Sequence, residues 1–279
     1  PPMTTVGAVV VTRNRQDPLA RTVRSLLEQS RPPEQVLVVD SGSTEPLPPL
    51  DPSVEVLRLD DNVGFGAALA AGMRHLRGDG LGPDLLWMLD DDSPVDPGSL
   101  AAALGVLEGH PEIGLLANRG GGLRLGVPQH GDPPVVVEPR TAESTLLDGS
   151  LVRREVVDRC GFPREDLFMV HEDLEYSTRV AAAGFGLAVS GAVVSRPEHL
   201  GSTEPGRNAW RLYYQSRNHV RIALDRSSAV WLAGAIGREV RIAAAAVAGG
   251  RWSSARAVVL GAADGFRGRM GRTVEPGQL

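Results

Sequence analysis

Apolar residues along this chain fall into short unbroken runs separated by amphipathic stretches. Val6–Thr12 is a Val-rich run without polar alternation, which reads as a strand buried on both faces. Pro18–Gln29 behaves differently: Leu19, Val23, Leu26 and Leu27 share one face at helical spacing, so this stretch predicts an amphipathic helix. Val36–Val39 predicts a second buried strand ending in Asp40, and Val54–Leu59 a third. Gly64–Arg77 reads as helix and Leu85–Leu89 as strand. Pro97–Glu108 reads as a helix with Asp96 as its N-cap and Pro97 in its first turn, and Ile113–Ala117 as another short strand. Alternation of strands and helices through short links predicts an α/β fold built on a doubly wound, mostly parallel sheet.

The pattern then changes. Asn118–Ser144 is rich in Gly and Pro, has no helical period, and reads as irregular loop or short hairpins; loops of this length are usually functional or disordered. Leu151–Cys160 and Asp173–Ala183 predict helices, the latter stopped by Gly184, with short strands at Leu187–Ser190 and Val193–Ser195. From Trp210 onward the period is helical: Trp210–Leu224, Ala229–Ala248 and Ser253–Phe266. This divides the chain into an α/β domain over residues 1–206 and a helical extension over 207–279.

Charge sharpens that division. Residues 1–206 hold 17 Arg and 30 acids, net −13, whereas residues 207–279 hold 12 Arg and 4 acids, net +8. The acidic part argues against nucleic acid as a partner. The basic end is suited to peripheral contact with an anionic membrane surface, or to neutralising the acidic domain. Arg238, Glu239 and Arg241 interrupt the longest apolar stretch, so no bilayer-spanning helix is expected. The single cysteine, Cys160, excludes a disulfide framework and a Cys-based zinc site and fits a reducing cytoplasm. Met3 leads straight into the first strand with no signal-peptide pattern.

The richest chemistry lies where Leu85–Leu89 runs into Asp90-Asp91-Asp92-Ser93. Ligands of open α/β sheets bind beyond the carboxyl ends of the strands. Three adjacent carboxylates repel one another and call for a cation. In extended backbone Asp90 and Asp92 project to the same side, and two hard oxygen ligands suit Mg²⁺ or Mn²⁺, which leave positions open for phosphate oxygens. Thr12-Arg13-Asn14-Arg15 and Asp40-Ser41-Gly42-Ser43 follow the first two strands and would open on the same edge. An Asp placed there can accept both hydrogens of a ribose diol or the hydrogen of a base imide; the alternative for Asp40 is a plain turn. Asn62-Val63-Gly64-Phe65-Gly66 is not a dinucleotide fingerprint, because the acidic ribose ligand expected about 20 residues later is missing. Its glycines let backbone approach a ligand or let a helix pack closely.

His171-Glu172-Asp173-Leu174-Glu175 concentrates ionisable groups at a helix start. Asp173 could act as a general base over an acceptor hydroxyl, or the acids could simply complement the helix dipole. His199 sits between Pro197 and Gly201-Ser202 as an exposed loop histidine. Tyr213-Tyr214-Gln215-Ser216-Arg217-Asn218 lies on a helix, where aromatic packing with a solvated Arg is the plain reading.

Taken in order over about residues 6–220, these fragments resemble family 2 glycosyltransferases, and most of all their bacterial rhamnosyltransferase and galactofuranosyltransferase branch, where Tyr-Tyr-x-x-Arg-Asn is typical. The resemblance implies a GT-A fold and transfer of a sugar with inversion. The donor would be a nucleotide-diphosphate sugar, UDP- or dTDP-linked, and the acceptor a hydroxyl on a glycan, a lipid-linked glycan or a small natural product. It implies a donor-binding half to about residue 117 and an acceptor half over 118–206. Thr12, Arg13, Asn14, Arg15, Asn62, Gly64 and Arg217 would serve the nucleotide sugar, Asp40 the nucleoside, and Asp91 the ribose or diphosphate. Asp90 and Asp92 would hold Mg²⁺ or Mn²⁺, with His199 completing that site. Asp173 would be the base with Glu172 beside it. The chain departs from its relatives in having Ala71 where many have Asn, and Asp173-Leu174-Glu175 where Asp-x-Asp is common. Cytoplasmic placement, with peripheral contact at the inner face of the membrane, is the corresponding expectation. A sugar-phosphate nucleotidyltransferase fits less well, because such enzymes use a catalytic lysine and all 29 basic residues here are arginine. A non-catalytic relative would not need Asp90, Asp92, Asp173 and His199 together.

Overall fold

A computed structural model describes residues 3–78, 80, 82–195, 209–275 and 278. The strands are β1 (Val6–Thr12), β2 (Gln35–Ser41), β3 (Glu55–Leu59), β4 (Leu85–Asp90), β5 (Ile113–Ala117), β6 (Gly120–Arg124), β7 (Val127–His130), β8 (Arg140–Thr141), β9 (Ser144–Thr145), β10 (Ser150–Arg153) and β11 (Gly186–Val189). The helices are α1 (Gln16–Leu27), α2 (Phe65–Arg77), α3 (Ser99–Gly109), α4 (Arg154–Cys160), α5 (Glu172–Ala182), α6 (Ala209–Asp225), α7 (Ala229–Ala248) and α8 (Trp252–Arg267). The main sheet runs β3-β2-β1-β4-β10-β5-β11-β8, and β7-β6-β9 form a second, three-stranded sheet.

Side-chain alternation distributes the apolar runs over both faces of the main sheet. Ala8, Val10, Trp87 and Leu89 join Leu19, Val23 and Leu26 of α1 and Leu100 and Leu107 of α3 on one side. Val9, Val11, Leu37 and Met88 meet Leu69 and Met73 of α2, Val156 of α4 and Tyr176 of α5 on the other. β1 pairs in parallel with β2 and β4, and the register sets Thr12 opposite Asp40 and Val11 opposite Asp90. The carboxyl ends of β1, β2 and β4 therefore share one edge.

Several expected elements differ. Residues 151–160 are not one helix: Ser150–Arg153 is a strand inserted antiparallel between β4 and β5, and only Arg154–Cys160 is helical. Its apolar Leu151 and Val152 fill both faces of the sheet, a demand invisible in so short a run. β3 is a half-exposed edge strand rather than a buried one. Asp96 does not cap α3 with its side chain; the helix starts at Ser99 behind Gly98, and the Asp96 carbonyl accepts the Ser99 N–H at 3.0 Å. Val193–Ser195 makes only an isolated bridge, Ser195 to Val95. The Gly/Pro-rich segment contains the β6–β7 hairpin, so its short-hairpin reading holds.

Candidate active site

The edge where β1, β2 and β4 end is laced together by polar side chains. β4 stops at Asp90, and the chain then turns, so Asp91 and Asp92 are not part of an extended strand. Asp91 folds back beneath the β1–α1 loop: its carboxylate accepts from Thr12 Oγ1 at 2.7 Å and from the Arg13 N–H at 3.4 Å, and Arg15 lies 3.3 Å away. Arg15 also pairs with Asp92. Asp90 and Asp92 face a cleft of about 700 Å³, whereas Asp91 does not line it. The three carboxylates each present an oxygen within 4.8 Å of the others. Burial, reinforced by neighbouring acids, pushes Asp90 and Asp91 up to about 7. Such a cluster of reluctant anions fits a hard divalent cation, which would offset the repulsion.

A fourth carboxylate, Asp148, was not anticipated. It stands just before β10, whose antiparallel course delivers its first residues to the carboxyl end of β4. Asp148 accepts the Asp90 N–H at 2.9 Å and the Ser93 hydroxyl at 2.6 Å, and burial raises it to about 6. An acid after the apolar pair Leu146-Leu147 was the available signal, hidden by reading the following residues as helix.

Across the cleft, α5 begins with Glu172 and Asp173. Asp173 Oδ1 accepts the Leu147 N–H at 2.9 Å, which fixes the carboxylate. Burial raises Asp173 to about 6. Glu172 is driven higher still, by burial and then by repulsion from Asp173, and its Oε2 is buried without a hydrogen bond. Burial and mutual repulsion therefore disfavour a second negative charge on this pair, and Glu172 is the member pushed further toward the neutral form. Burial holds the neighbouring His171 well below its usual value, so that ring is neutral. Gly64 explains how α2 reaches this wall. At φ +85° it passes so close to the Phe168 carbonyl that a Cβ would lie 1.7 Å from the oxygen. Its role in the structure is close backbone packing, and Asn62 Oδ1 holds the turn by accepting the Gly64 N–H at 3.1 Å.

Several expected site residues do not line the cleft. Arg217 is completely buried and does not line the cleft. It donates to the carbonyls of Leu167 and Gly271 at 3.0 and 2.6 Å and stacks 4.7 Å from the Tyr214 ring centre, so its fork is spent on backbone and aromatics. Asp40 is also fully buried, bonded to the Ser43 N–H at 2.9 Å and paired with Arg58 at 2.9 Å. It supports the β2 turn and is absent from the cleft lining. His199 falls outside the described residues. Asn14, in left-handed backbone at φ 54°, ties the β1 and β2 loops together through Ser43 and Thr44. Arg13 is exposed.

Sequence reasoning also missed much of the far wall. Arg211 and Gln215 of α6, Arg238 of α7, Arg119, and His130 at the end of β7 all line the cleft. The helical extension is therefore part of this wall, with Arg238 bonded to Glu239 at 2.7 Å.

The Glycosyl transferase family 2 model matches residues 8–133, which contain the β1, β2 and β4 edge. Galactofuranosyltransferase GlfT1 of Mycolicibacterium smegmatis is 28% identical over 208 residues, covering 64% of this chain. The chain spans about two thirds (66%) of that relative's length. GlfT1 of Mycobacterium tuberculosis is also 28% identical, over 67% of this chain and 68% of its own. Among solved structures, GalNAc-T7 with UDP, GalNAc and Mn²⁺ superposes with a TM-score of 0.61 at 15% identity, over 80% of this chain and 48% of that one. The mannosyltransferase PcManGT of Pyrobaculum calidifontis, in complex with GDP-Man and Mn²⁺, gives 0.57 at 17% identity, over 94% and 86%. These structures share the GT-A fold. With its parallel sheet edge and the aligned segment, this chain is similar to glycosyl transferase family 2 over residues 8–133.

Proposed function

We propose that this protein transfers a sugar, galactofuranose-like in view of its relatives, from a nucleotide-diphosphate donor to an acceptor hydroxyl, with inversion and with a divalent metal. One observation carries the reading: a single cleft holds Asp90, Asp92 and Asp148 together with the pair Glu172 and Asp173. Asp90 and Asp92 would hold Mg²⁺ or Mn²⁺, which supplies positive charge against the negative charge building on the departing diphosphate. Arg15, half-exposed beside Asp92, adds a cation at that end. Asp40 and the Thr12–Arg15 loop would meet the nucleoside, UDP- or dTDP-linked, with Arg58 moving off Asp40. Asp173 takes the acceptor hydroxyl's proton as the new C–O bond forms. The bond to the nucleoside diphosphate breaks on the opposite face of the sugar and its electron pair leaves with the phosphate. Glu172, kept neutral, adds no second negative charge beside the base. Arg119, His130, Arg211 and Gln215 would line the acceptor side, whether the acceptor is a glycan, a lipid-linked glycan or a small natural product.

No helix among the described residues is long and apolar enough to cross a membrane. The outer faces of α7 and α8 nevertheless expose Val240 at 62%, Trp252 at 68% and Val259 at 60%, with Arg241, Arg251 and Arg256 among them and no acid between residues 240 and 263. This composition favours peripheral contact with an anionic membrane surface, at the cytoplasmic face.

Asp92→Ala is the test of the metal-dependent transfer. Release of nucleoside diphosphate from UDP-galactofuranose and other UDP- or dTDP-sugars, with and without Mn²⁺, is expected to need metal and to vanish in the variant while the melting temperature persists. Near-full, metal-independent release by Asp92→Ala would refute the assignment.

A further inference from the structure

A second, smaller groove of about 310 Å³ adjoins the cleft, between the β6–β7 hairpin and α7. Val127 and Arg238 line both, so the two spaces adjoin at these side chains. The groove is a built feature. The hairpin tip is keyed into α7 at two glycines: a Cβ on Gly234 would fall 1.9 Å from the Leu125 carbonyl oxygen, and one on Gly126 would fall 2.5 Å from the Trp231 ring. His219, buried in α6, contacts the Gly126 carbonyl at 3.3 Å and holds the tip from behind.

Charge then distinguishes the groove. Arg124 ends β6, Arg238 and Arg241 stand one turn apart on α7, and no acidic side chain lines the space. Arg238 has Glu239 as a partner, but Arg124 and Arg241 form no ion pair among the described residues. Both are exposed, and among the described residues neither has a carboxylate partner to neutralise it. Guanidinium forks match phosphate oxygens in a bidentate manner. The donor's own diphosphate would be served by Arg15 and by a metal held at Asp90 and Asp92, which line the cleft but not the groove.

We propose that this groove is a phosphoryl-binding subsite on the acceptor side, in which Arg124 and Arg241, with Arg238 at the junction, hold a phosphate or diphosphate group carried by the acceptor. The assignment rests on the transferase reading only for the word acceptor; the anion site itself needs neither donor nor metal. A sugar hydroxyl reaching Asp173 while a phosphoryl group lies in the groove would bring an acceptor in past Val127 and Arg238, which the two spaces share. The groove thereby selects phosphorylated acceptors over neutral ones of the same sugar.

Inorganic pyrophosphate is the probe. Isothermal titration calorimetry on the full chain, in chelator and without donor, is expected to show pyrophosphate binding. That binding should weaken by roughly tenfold or more in Arg124→Ala/Arg241→Ala, through loss of charge-assisted contacts. Arg15→Ala, which removes the cleft cation instead, is expected to leave it within about twofold. Both arginines of the double variant are exposed, and an unchanged melting temperature verifies the fold. No binding to the wild-type chain, or binding lost in Arg15→Ala and kept in the double variant, would overturn the proposal. Vesicles of phosphatidylglycerol form the second arm. If they bind through Arg124 and Arg241 while pyrophosphate does not, the arginines serve lipid headgroups and the acceptor assignment is overturned. Donor release that fails in the wild-type chain while pyrophosphate still binds would remove the transferase reading and leave the anion site standing.

Discussion

Asp173→Asn separates a proton acceptor from a helix-capping acid more cleanly than any other change. The structure lets its two effects be worked out independently. Asp173 Oδ1 accepts the Leu147 N–H at 2.9 Å, and an Asn carbonyl oxygen can accept the same bond, so the contact that fixes the residue survives. Repulsion from Asp173 is the second-largest cause of the raised Glu172 value, so the substitution relieves a like-charge conflict. Folding stability should therefore change by less than about 1 kcal/mol, with a slight gain the natural direction. Catalysis has no such compensation. An amide cannot take the hydroxyl proton, and general-base catalysis contributes about 10²–10⁴ in rate, or about 3–5 kcal/mol of barrier. The assay is nucleoside diphosphate release with acceptor, at several pH values, beside a thermal melt on the same preparation. Wild-type turnover should climb as pH rises through about 6, where Asp173 loses its proton, and the variant should lose this limb along with its rate. Glu172→Gln, at a group that burial and Asp173 both push toward the neutral form, should cost much less. A stable Asp173→Asn protein with wild-type turnover, or a larger loss at Glu172, would refute the reasoning.

Three further outcomes follow from the same geometry. Asp90 and Asp91 at about 7 in the folded chain lie above the ordinary carboxylate value of about 4, so folding retains protons that unfolding would release. Stability of the metal-free protein should accordingly be greatest below pH 4 to 5 as far as these groups are concerned, and should fall as pH rises toward 7; Mn²⁺ should raise the melting temperature more at pH 8 than at pH 5, and a flat or rising metal-free profile would count against the buried cluster. Arg217→Ala should destabilise by about 1–3 kcal/mol in denaturant melts, because it removes the donor to the Gly271 carbonyl and the stacking on Tyr214, while donor affinity measured on the folded fraction stays unchanged. The α7–α8 face should bind phosphatidylglycerol vesicles at low salt, with Trp252 fluorescence shifting to the blue and salt screening the attraction; absence of co-sedimentation would leave the net +8 of residues 207–279 to intramolecular contacts.

Much of the donor edge was legible because its signals are local. Val6–Thr12 and Ile113–Ala117 appear with the expected bounds, and the apolar run before Asp90 becomes a central strand. The acidic wall was less so. Asp148 reaches the cleft only because β10 runs against its neighbours, and antiparallel insertion of a four-residue strand leaves no periodic trace. Arg217 illustrates the opposite error. A motif on a helix looked like a ligand contact, but the burial of its helix, and hence the direction of its side chain, depends on α8 and the chain's last residues packing over it. Arg211, Gln215 and Arg238 were illegible for the same reason: which face of a helix meets the cleft is decided by tertiary docking.

The segment leading into Asp173 carries a further consequence. Phe168, Val170 and His171 all have positive φ, at 57°, 64° and 72°, in a stretch with no glycine. Left-handed backbone at an aromatic and a β-branched residue costs about 1–3 kcal/mol each, so this conformation is not one the loop would choose unaided. Side chains of α6 hold it: the Asn218 amide donates to the carbonyls of Leu167, Met169 and Val170 at 2.8, 2.7 and 2.8 Å, and Arg217 adds a second donor to Leu167 at 3.0 Å. Asp173 is thus cocked like a spring whose catch belongs to the helical extension. A chain cut after the sheet would keep its three consecutive aspartates and still let the spring uncoil, so the aspartate cluster and the Asp173 wall have different minimal lengths of chain.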